Sequence, residues 1–191
     1  MRETTRRKIE AAALSLFARK GLSVKVGEIA KAAGVSQGLL YSHYPSKDAL
    51  IAELIRQATD ISGRSIMEIA GCRGKAAMKI KRITDLMCSM FVGTSPIGID
   101  YFMFMVQVGL SGFRIPEASQ YSQDCPNPAE SLARVIAQGQ KERSVAPGNQ
   151  FRMSVVYWAA IQGLCCYAAT GAPLLPDAKT LNRILLKEVY L

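Results

Sequence analysis

Apolar residues recur at helical spacing along nearly the whole chain, and no sustained alternation of apolar and polar positions indicates a strand. The first apolar stripe runs from Ile9 to Phe17, and Gly21 follows it as a helix stop. A helix with one apolar stripe buries that side against its neighbours. The pattern therefore predicts an all-α protein whose amphipathic helices pack around a shared core.

Breaks in this periodicity divide the chain into about nine predicted helices. They span residues 5–19, 26–33, 37–44, 47–70, 75–92, 98–110, 129–142, 149–170 and 177–190. Three prolines between residues 112 and 128 predict a loop or a broken helix there. We expect a three-helix head over residues 1–46 and a larger helical body over residues 47–191.

The second and third predicted helices are joined by a tight turn, Gly34-Val35-Ser36, as in a helix-turn-helix. Gly34 suits a left-handed turn, Val35 suits the core between the helices, and Ser36 can cap the third helix. Leu40 and Tyr44 share the inward side of that helix. The residues left to face DNA are Gln37, Gly38, Leu39, Tyr41 and His43.

The charge distribution favours a polyanionic partner. The formal net charge is +9 at pH 7, and residues 1–50 hold nine Lys or Arg against four Asp or Glu. A basic end on a less charged body suggests a polyanion met by that end, and together with the helix-turn-helix pattern we expect double-stranded DNA. No stretch reaches the ~20 uninterrupted apolar residues of a membrane span, and no apolar signal core follows the basic N-terminus. We therefore expect a cytoplasmic protein with no membrane partner.

The five cysteines and the single histidine do not form a metal-binding pattern, since the chain has no Cys-x-x-Cys pair. We expect no metal, no cofactor and reduced cysteines packed as small core residues. The adjacent Cys165 and Cys166 leave a redox sensor as an alternative, which requires an exposed thiol of low pKa. An enzyme is not expected, because Gly-rich phosphate loops and His or Ser catalytic motifs are missing.

A longer run of residues resembles a known family. The run from Ile29 to Leu50, IAKAAGVSQGLLYSHYPSKDAL, is similar to the signature of tetracycline-repressor-type (TetR family) regulators. The similarity continues upstream through Leu16, Phe17 and Gly21 and covers about 50 residues. It implies a homodimeric, ligand-responsive repressor of about nine helices, with a DNA-binding head and an effector-binding, dimer-forming body.

The resemblance also implies DNA-contacting roles for individual residues. Gln37 to Leu39 would face base edges, where glutamine suits adenine. Tyr41, His43 and Lys47 would donate hydrogen bonds to phosphate oxygens, which fix register rather than read sequence. The full candidate set is Lys25, Ser36, Gln37, Gly38, Leu39, Tyr41, His43 and Lys47.

The start of the second helix departs from the family pattern. The spacing from Gly21 to Ile29 is one residue shorter than usual, and Val24-Lys25-Val26 stands where the family often has a threonine. The hydroxyl cap is therefore missing, and Lys25 can supply charge to a phosphate instead. Leu39 also replaces a frequent threonine, so it can make only apolar contact with a base.

In the body, the resemblance implies that the last two helices pair with their symmetry mates. Small residues on one side of the eighth helix allow a second helix to approach closely. The candidate dimer residues are Val156, Ala160, Gly163, Tyr167, Leu181, Ile184 and Leu185.

Methionines and aromatic residues are dense in the fifth and sixth helices, a composition that adapts to varied apolar ligands. The candidate effector-binding residues are Met87, Met90, Phe91, Tyr101, Phe104, Met105, Gln107, Trp158 and Gln162. Helices six and eight carry no basic residue in their middles, so we expect a hydrophobic or weakly cationic effector. A sequence-tolerant DNA-binding protein without an effector is an alternative function.

Overall fold

The computed structural model describes residues 2–91, 98–112, 127–170 and 177–187. These residues form α1 (Arg2–Lys20), α2 (Val26–Ala33), α3 (Gln37–His43), α4 (Lys47–Gly71), α5 (Ala76–Phe91), α6 (Gly98–Ser111), α7 (Pro128–Lys141), α8 (Gln150–Ala169) and α9 (Ala178–Asn182). The predicted all-α class is confirmed, and the described part of the chain by itself forms nine helices. Among the described residues, β pairing is limited to one isolated bridge between Val145 and Leu186.

The described residues fall into two compact units, one within residues 1–59 and 100–123 and the other within residues 60–99 and 124–191. Helix α4 contributes residues to both. The expected boundary between residues 46 and 47 concerns function and stays a prediction. None of the described helices combines the length and the apolarity that crossing a membrane requires.

The core of the first unit is built on the apolar stripe of α1. Ile9, Ala13 and Phe17 recur every fourth residue and are fully buried. Leu40 from α3 joins them, and the ring of Phe104 from α6 stacks on Phe17 with centroids 6.0 Å apart. Burial of each large apolar side chain contributes about 1.5–3 kcal/mol, so this cluster holds the short helices in place.

Helix α4 begins where the sequence predicts. The backbone N–H of Ala49 donates to Ser46 Oγ at 3.0 Å, so Ser46 caps the helix. Asp48 lies in the first turn, where the helix dipole favours a negative charge.

In the second unit, α7 packs on α8, and α5 contacts both α7 and α9. A Cβ added to Gly139 on α7 would lie 2.5 Å from Val145 Cγ2 and 3.2 Å from Ala76 Cβ. Only glycine therefore permits this close approach. The missing side chain lets the segment after α7 fold back against the helix.

The last predicted helix, residues 177–190, is wrong in extent. Helix α9 ends at Asn182, and N–H groups after it bond three residues back: Ile184 to Leu181 and Leu185 to Asn182, both at 3.1 Å. The N–H of Lys187 then donates to the carbonyl of Ser144 at 3.0 Å. Tertiary pairing with the segment after α7 overrides the helical pattern.

The segment predicted as a loop or broken helix, residues 112–128, lies mostly outside the described residues. At its end, Asn127 caps α7 by accepting the N–H of Ala129 at 2.9 Å. Pro128 opens the helix, where its missing N–H costs nothing.

Candidate nucleic-acid interface

The turn between α2 and α3 has the conformation that its sequence predicts. Gly34 adopts φ 67° and ψ 35°, the left-handed region that an L side chain enters at a cost. The N–H of Val35 donates to the carbonyl of Ala30 at 3.0 Å, and Val35 packs against the core of the first unit. The turn therefore fixes the angle at which α3 leaves α2.

Helix α3 is capped and anchored, and this decides which side chains stay outside. Ser36 Oγ accepts the N–H of Leu39 at 3.1 Å, as predicted for a capping serine. Leu40 and Tyr44 are buried on the inner side. The opposite side exposes Gln37, Gly38, Leu39 and Tyr41. An exposed leucine and an exposed tyrosine on so short a helix indicate a contact surface.

Four of the predicted DNA contacts line one cleft of about 450 Å³ beside α3. Its walls are Ser23, Val24, Lys25, Val26, Gly27, Gln37, Tyr41 and Lys47. Two lysines, a phenol and an amide converge here, which suits a phosphate oxygen. The fold brings together four residues that are separated in the sequence: Lys25, Gln37, Tyr41 and Lys47.

Lys47 has a second role within the protein. Its Nζ donates to the carbonyl oxygens of Leu22 at 2.8 Å and Val24 at 3.4 Å. It therefore holds the loop between α1 and α2 while also lining the cleft. This loop-binding role was not predicted from the sequence.

The start of α2 lacks a hydroxyl cap, as expected, because Lys25 occupies the cap position. The Glu28 carboxylate instead accepts the N–H of Lys25 at 3.1 Å and the Nζ of Lys20 at 3.2 Å. These two bonds lower the pKa of Glu28 below its ordinary value, with the backbone N–H as the larger cause. The sequence signal was an acidic residue three positions after the cap.

His43 lies in a second cleft of about 290 Å³, apart from the other candidates. Its walls are Arg2, Glu3, Arg6, Ser42 and His43. Arg2 was missed in the sequence analysis, although two arginines four residues apart on α1 signal a shared face. The clefts flank α3 with basic residues, but the DNA contacts of individual residues stay predictions.

The candidate effector residues of the first unit have differing surroundings. Phe104 is enclosed by the core, as its stacking on Phe17 requires, and Met105 packs against the same cluster. Tyr101 donates its hydroxyl to Gln57 Oε1 at 2.9 Å. The side-chain oxygen of Gln107 lies next to Gly21, 3.2 Å from the place of a Cβ.

In the second unit, Met87 is buried and Gln162 is exposed. The side chains of Met90 and Phe91 lie outside the described ones. The indole of Trp158 meets the Tyr157 ring edge to face at 5.4 Å, and its Nε1 is buried without a hydrogen-bond partner among the described atoms. A ligand acceptor would satisfy this donor. The effector set as a whole stays a prediction.

The candidate dimer residues separate into exposed and buried groups. Val156 and Tyr167 on α8 are 60% and 52% exposed, and Gly163 beside them has open space where a side chain would stand. Leu181 and Leu185, by contrast, are buried within their own subunit. The outward apolar surface therefore lies on α8, with Ile184 partly exposed near the chain's end.

The adjacent cysteines are in unequal environments. Cys165 is buried, and burial raises the pKa of its thiol from 9.0 to about 12. Cys166 is partly exposed. A redox sensor needs an accessible thiolate, so Cys165 is a poor candidate for that role.

The fold and these clefts define a helix-turn-helix DNA-binding protein. Residues 9–54 match the family described as bacterial regulatory proteins, tetR family. The HTH-type transcriptional repressor LfrR of Mycolicibacterium smegmatis is 27% identical over 172 residues, which cover 90% of this chain and 83% of LfrR. Residues 9–54 therefore carry the helix-turn-helix of the tetR family, and most of the chain is similar to a transcriptional repressor.

Solved structures share the fold over nearly the whole chain. The MbdR regulator of Azoarcus sp. CIB has a TM-score of 0.75 at 21% identity, covering 94% of this chain and 93% of MbdR. A protein of Saccharomonospora viridis, described as a transcriptional regulator, has a TM-score of 0.71 at 20% identity, covering 96% and 98%. The similarity of fold to these two proteins therefore includes the second unit and is not limited to the first.

Proposed function

We propose that the chain is a homodimeric repressor that a small effector releases from its operator. The observation that carries the proposal is the outer side of α3, where Gln37, Leu39 and Tyr41 are exposed together. Lys25 and Lys47 stand beside them in the larger cleft. This arrangement supports base contacts flanked by phosphate contacts.

The outward apolar surface of α8 supports dimerisation. Exposed Val156 and Tyr167 with the small Gly163 between them suit close pairing with a second helix. A two-fold dimer offers two copies of α3 to successive major grooves, about 34 Å apart. Repression rather than activation is supported by the relative named as a repressor.

The effector is proposed to be hydrophobic or weakly cationic. The methionines and aromatic residues among the predicted effector residues support an apolar ligand, and the unpartnered Nε1 of Trp158 supports one acceptor on that ligand. The Saccharomonospora viridis protein was solved in complex with choline, a small organic cation. An effector that binds one spacing of the two heads better than the other shifts the dimer away from DNA.

Selection of bound duplexes from a random DNA pool tests the DNA-binding proposal. A palindromic consensus with half-sites about one helical turn apart is expected. Changing Gln37→Ala relaxes the preference at one position of each half-site, whereas the exposed Lys141→Ala on α7 leaves the consensus unchanged. Binding without a consensus that collapses steeply with salt would favour the sequence-tolerant alternative.

Sedimentation tests the dimer. Val156→Asp is expected to yield monomers, because it places a charge in an apolar interface. The matched control is Leu110→Asp, which places the same charge at an exposed apolar residue on α6. Equal sedimentation of Val156→Asp and the wild type would remove α8 from the interface.

Thermal shift tests the effector class, with choline, uncharged apolar compounds and anionic metabolites as the three sets of probes. Stabilisation by either of the first two sets, together with release of the selected duplex, is expected. Hits confined to anionic metabolites would overturn the proposed class. The single tryptophan, Trp158, gives an independent fluorescence readout of each hit.

A further inference from the structure

The end of the recognition helix α3 is held by a charged network. Tyr44, the residue that caps α3, donates its hydroxyl to Glu10 Oε1 on α1. Arg6 Nε donates to the same Glu10 oxygen at 2.8 Å and to the Tyr44 hydroxyl oxygen at 3.1 Å. The guanidinium also lies over the Tyr44 ring, 5.9 Å from its centroid. The position of Tyr44 is therefore tied to Arg6 from two directions.

Glu53 on α4 is the centre of the same network. Its Oε1 accepts from Arg6 at 2.8 Å, from Arg56 at 2.8 Å and from Gln57 Nε2 at 2.9 Å. These bonds, with the one from Arg56 as the largest cause, lower the pKa of Glu53. Three donors on one oxygen leave Glu53 little freedom, so its place fixes that of Arg6.

Helix α6 joins through Tyr101. Its hydroxyl donates to Gln57 Oε1 at 2.9 Å, while the amide nitrogen of Gln57 donates to Glu53. The amide oxygen of Gln57 thus serves Tyr101 and its nitrogen serves Glu53, and these two bonds fix the orientation of the amide. A continuous path of hydrogen bonds runs from Tyr101 through Gln57, Glu53 and Arg6 to Tyr44, all within the first unit.

We propose that Tyr101, Gln57 and Glu53 are positioning residues for operator recognition, which they influence by setting Tyr44 and hence the end of α3. The inference depends on the proposed binding of DNA through α3. None of the three is among the residues that line the clefts beside α3. Hydrogen bonds in such a path strengthen one another, so loss of a distant member weakens the hold on Tyr44. Displacing α3 by a fraction of an ångström misplaces its base contacts.

The test compares Tyr101→Phe, Tyr44→Phe and the double variant of the full chain. Affinities are measured for the selected operator duplex and for an unrelated duplex of equal length. Each single change is expected to weaken operator binding about fivefold, the worth of one hydrogen bond, with little effect on the unrelated duplex. The double variant is expected to lose no more than about tenfold, because both changes break one path.

Tyr157→Phe is the matched control. It also removes a phenol hydroxyl that makes a hydrogen bond, but in the second unit, and operator affinity should stay within about twofold. Gln57→Met breaks the same path at another point, and it replaces Tyr101→Phe should that variant not fold. If these residues had a purely structural role, the variants would contain less active protein, and binding to both duplexes would weaken equally.

Two results would overturn the inference: operator affinity unchanged in Tyr101→Phe, or losses that simply multiply in the double variant. Failure of the proposed function gives a different result, since the wild type itself would then select no operator.

Discussion

The two units of the molecule use polar groups in opposite ways. In the first, charged residues meet near the surface: Arg6, with its side chain 42% exposed, bridges Glu10, Glu53 and Tyr44. In the second, three neutral groups meet in the core, where Thr84 Oγ1 lies 2.7 Å from Asn182 Oδ1 and 2.9 Å from the Tyr157 hydroxyl.

The difference lies in what happens when a contact is lost. Water can replace a lost partner of the part-exposed Arg6, so losing one contact of this network costs the first unit little stability even where it shifts α3. In the core, an orphaned group retains its full desolvation cost. We infer that the apolar core stabilises the first unit while its charged residues set the position of α3. The buried network, in contrast, stabilises the second unit.

The largest expected effect tests whether apolar packing holds the first unit. Phe104→Ala removes the ring that stacks on Phe17, and the unfolding free energy should fall by about 3–5 kcal/mol. Leu110→Ala, on the exposed side of the same helix, should change it by less than about 0.5 kcal/mol. Denaturant unfolding measures both. A small loss for Phe104→Ala would instead place this side chain at a ligand cavity.

The next prediction tests the buried network of the second unit. Thr84→Val keeps the shape of the side chain but leaves Tyr157 and Asn182 without their shared partner. The unfolding free energy should fall by about 1–3 kcal/mol, while operator affinity at low temperature stays unchanged. Tyr44→Phe should show the reverse pattern, with the larger effect on DNA. If both variants changed the same property, the contrast between the units would be lost.

The sequence predicted most of the first unit because its signals are local. The turn at Gly34, the cap at Ser36 and the inward Leu40 each follow from a few neighbouring residues. Lys25 and Lys47, which line one cleft, were named as candidate DNA contacts only through the family resemblance.

The missed features depend on contacts between residues far apart in the chain. Glu53 contacts Arg6 across 47 positions, and Asn182 contacts Thr84 across 98. Local periodicity in the sequence does not predict contacts at such separations. The last helix was overextended for the same reason, since pairing with Val145 ends it. Leu181 and Leu185 have the spacing of an exposed dimer stripe, yet they are buried in their own subunit.

A smaller effect is expected for a substitution at Gly27. This substitution tests helix stability and DNA recognition separately within the first unit. A Cβ there would lie 2.9 Å from Gln37 Nε2, the flexible end of a side chain that can move aside. Gly27→Ala should therefore stabilise α2 by about 0.5–1 kcal/mol through helix propensity. It should also shift the base preference at the position that Gln37 reads. Selection from a random pool that returned the wild-type consensus would show that Gln37 is not held against α2.

The smallest effect concerns pH and the buried thiol of the second unit. Because burial raises the pKa of Cys165 from 9.0 to about 12, the folded state favours the protonated thiol. Its contribution to stability is complete below pH 9 and is lost as the pH rises toward 12. Below pH 9 the folded chain therefore holds less thiolate at this position than the unfolded chain does. Iodoacetamide at pH 8 should therefore modify the partly exposed Cys166 first, and peptide mass spectrometry distinguishes the two sites. A thiol fixed in the core cannot react with an oxidant without local unfolding. Rapid modification of Cys165 together with loss of operator binding would therefore support the redox alternative.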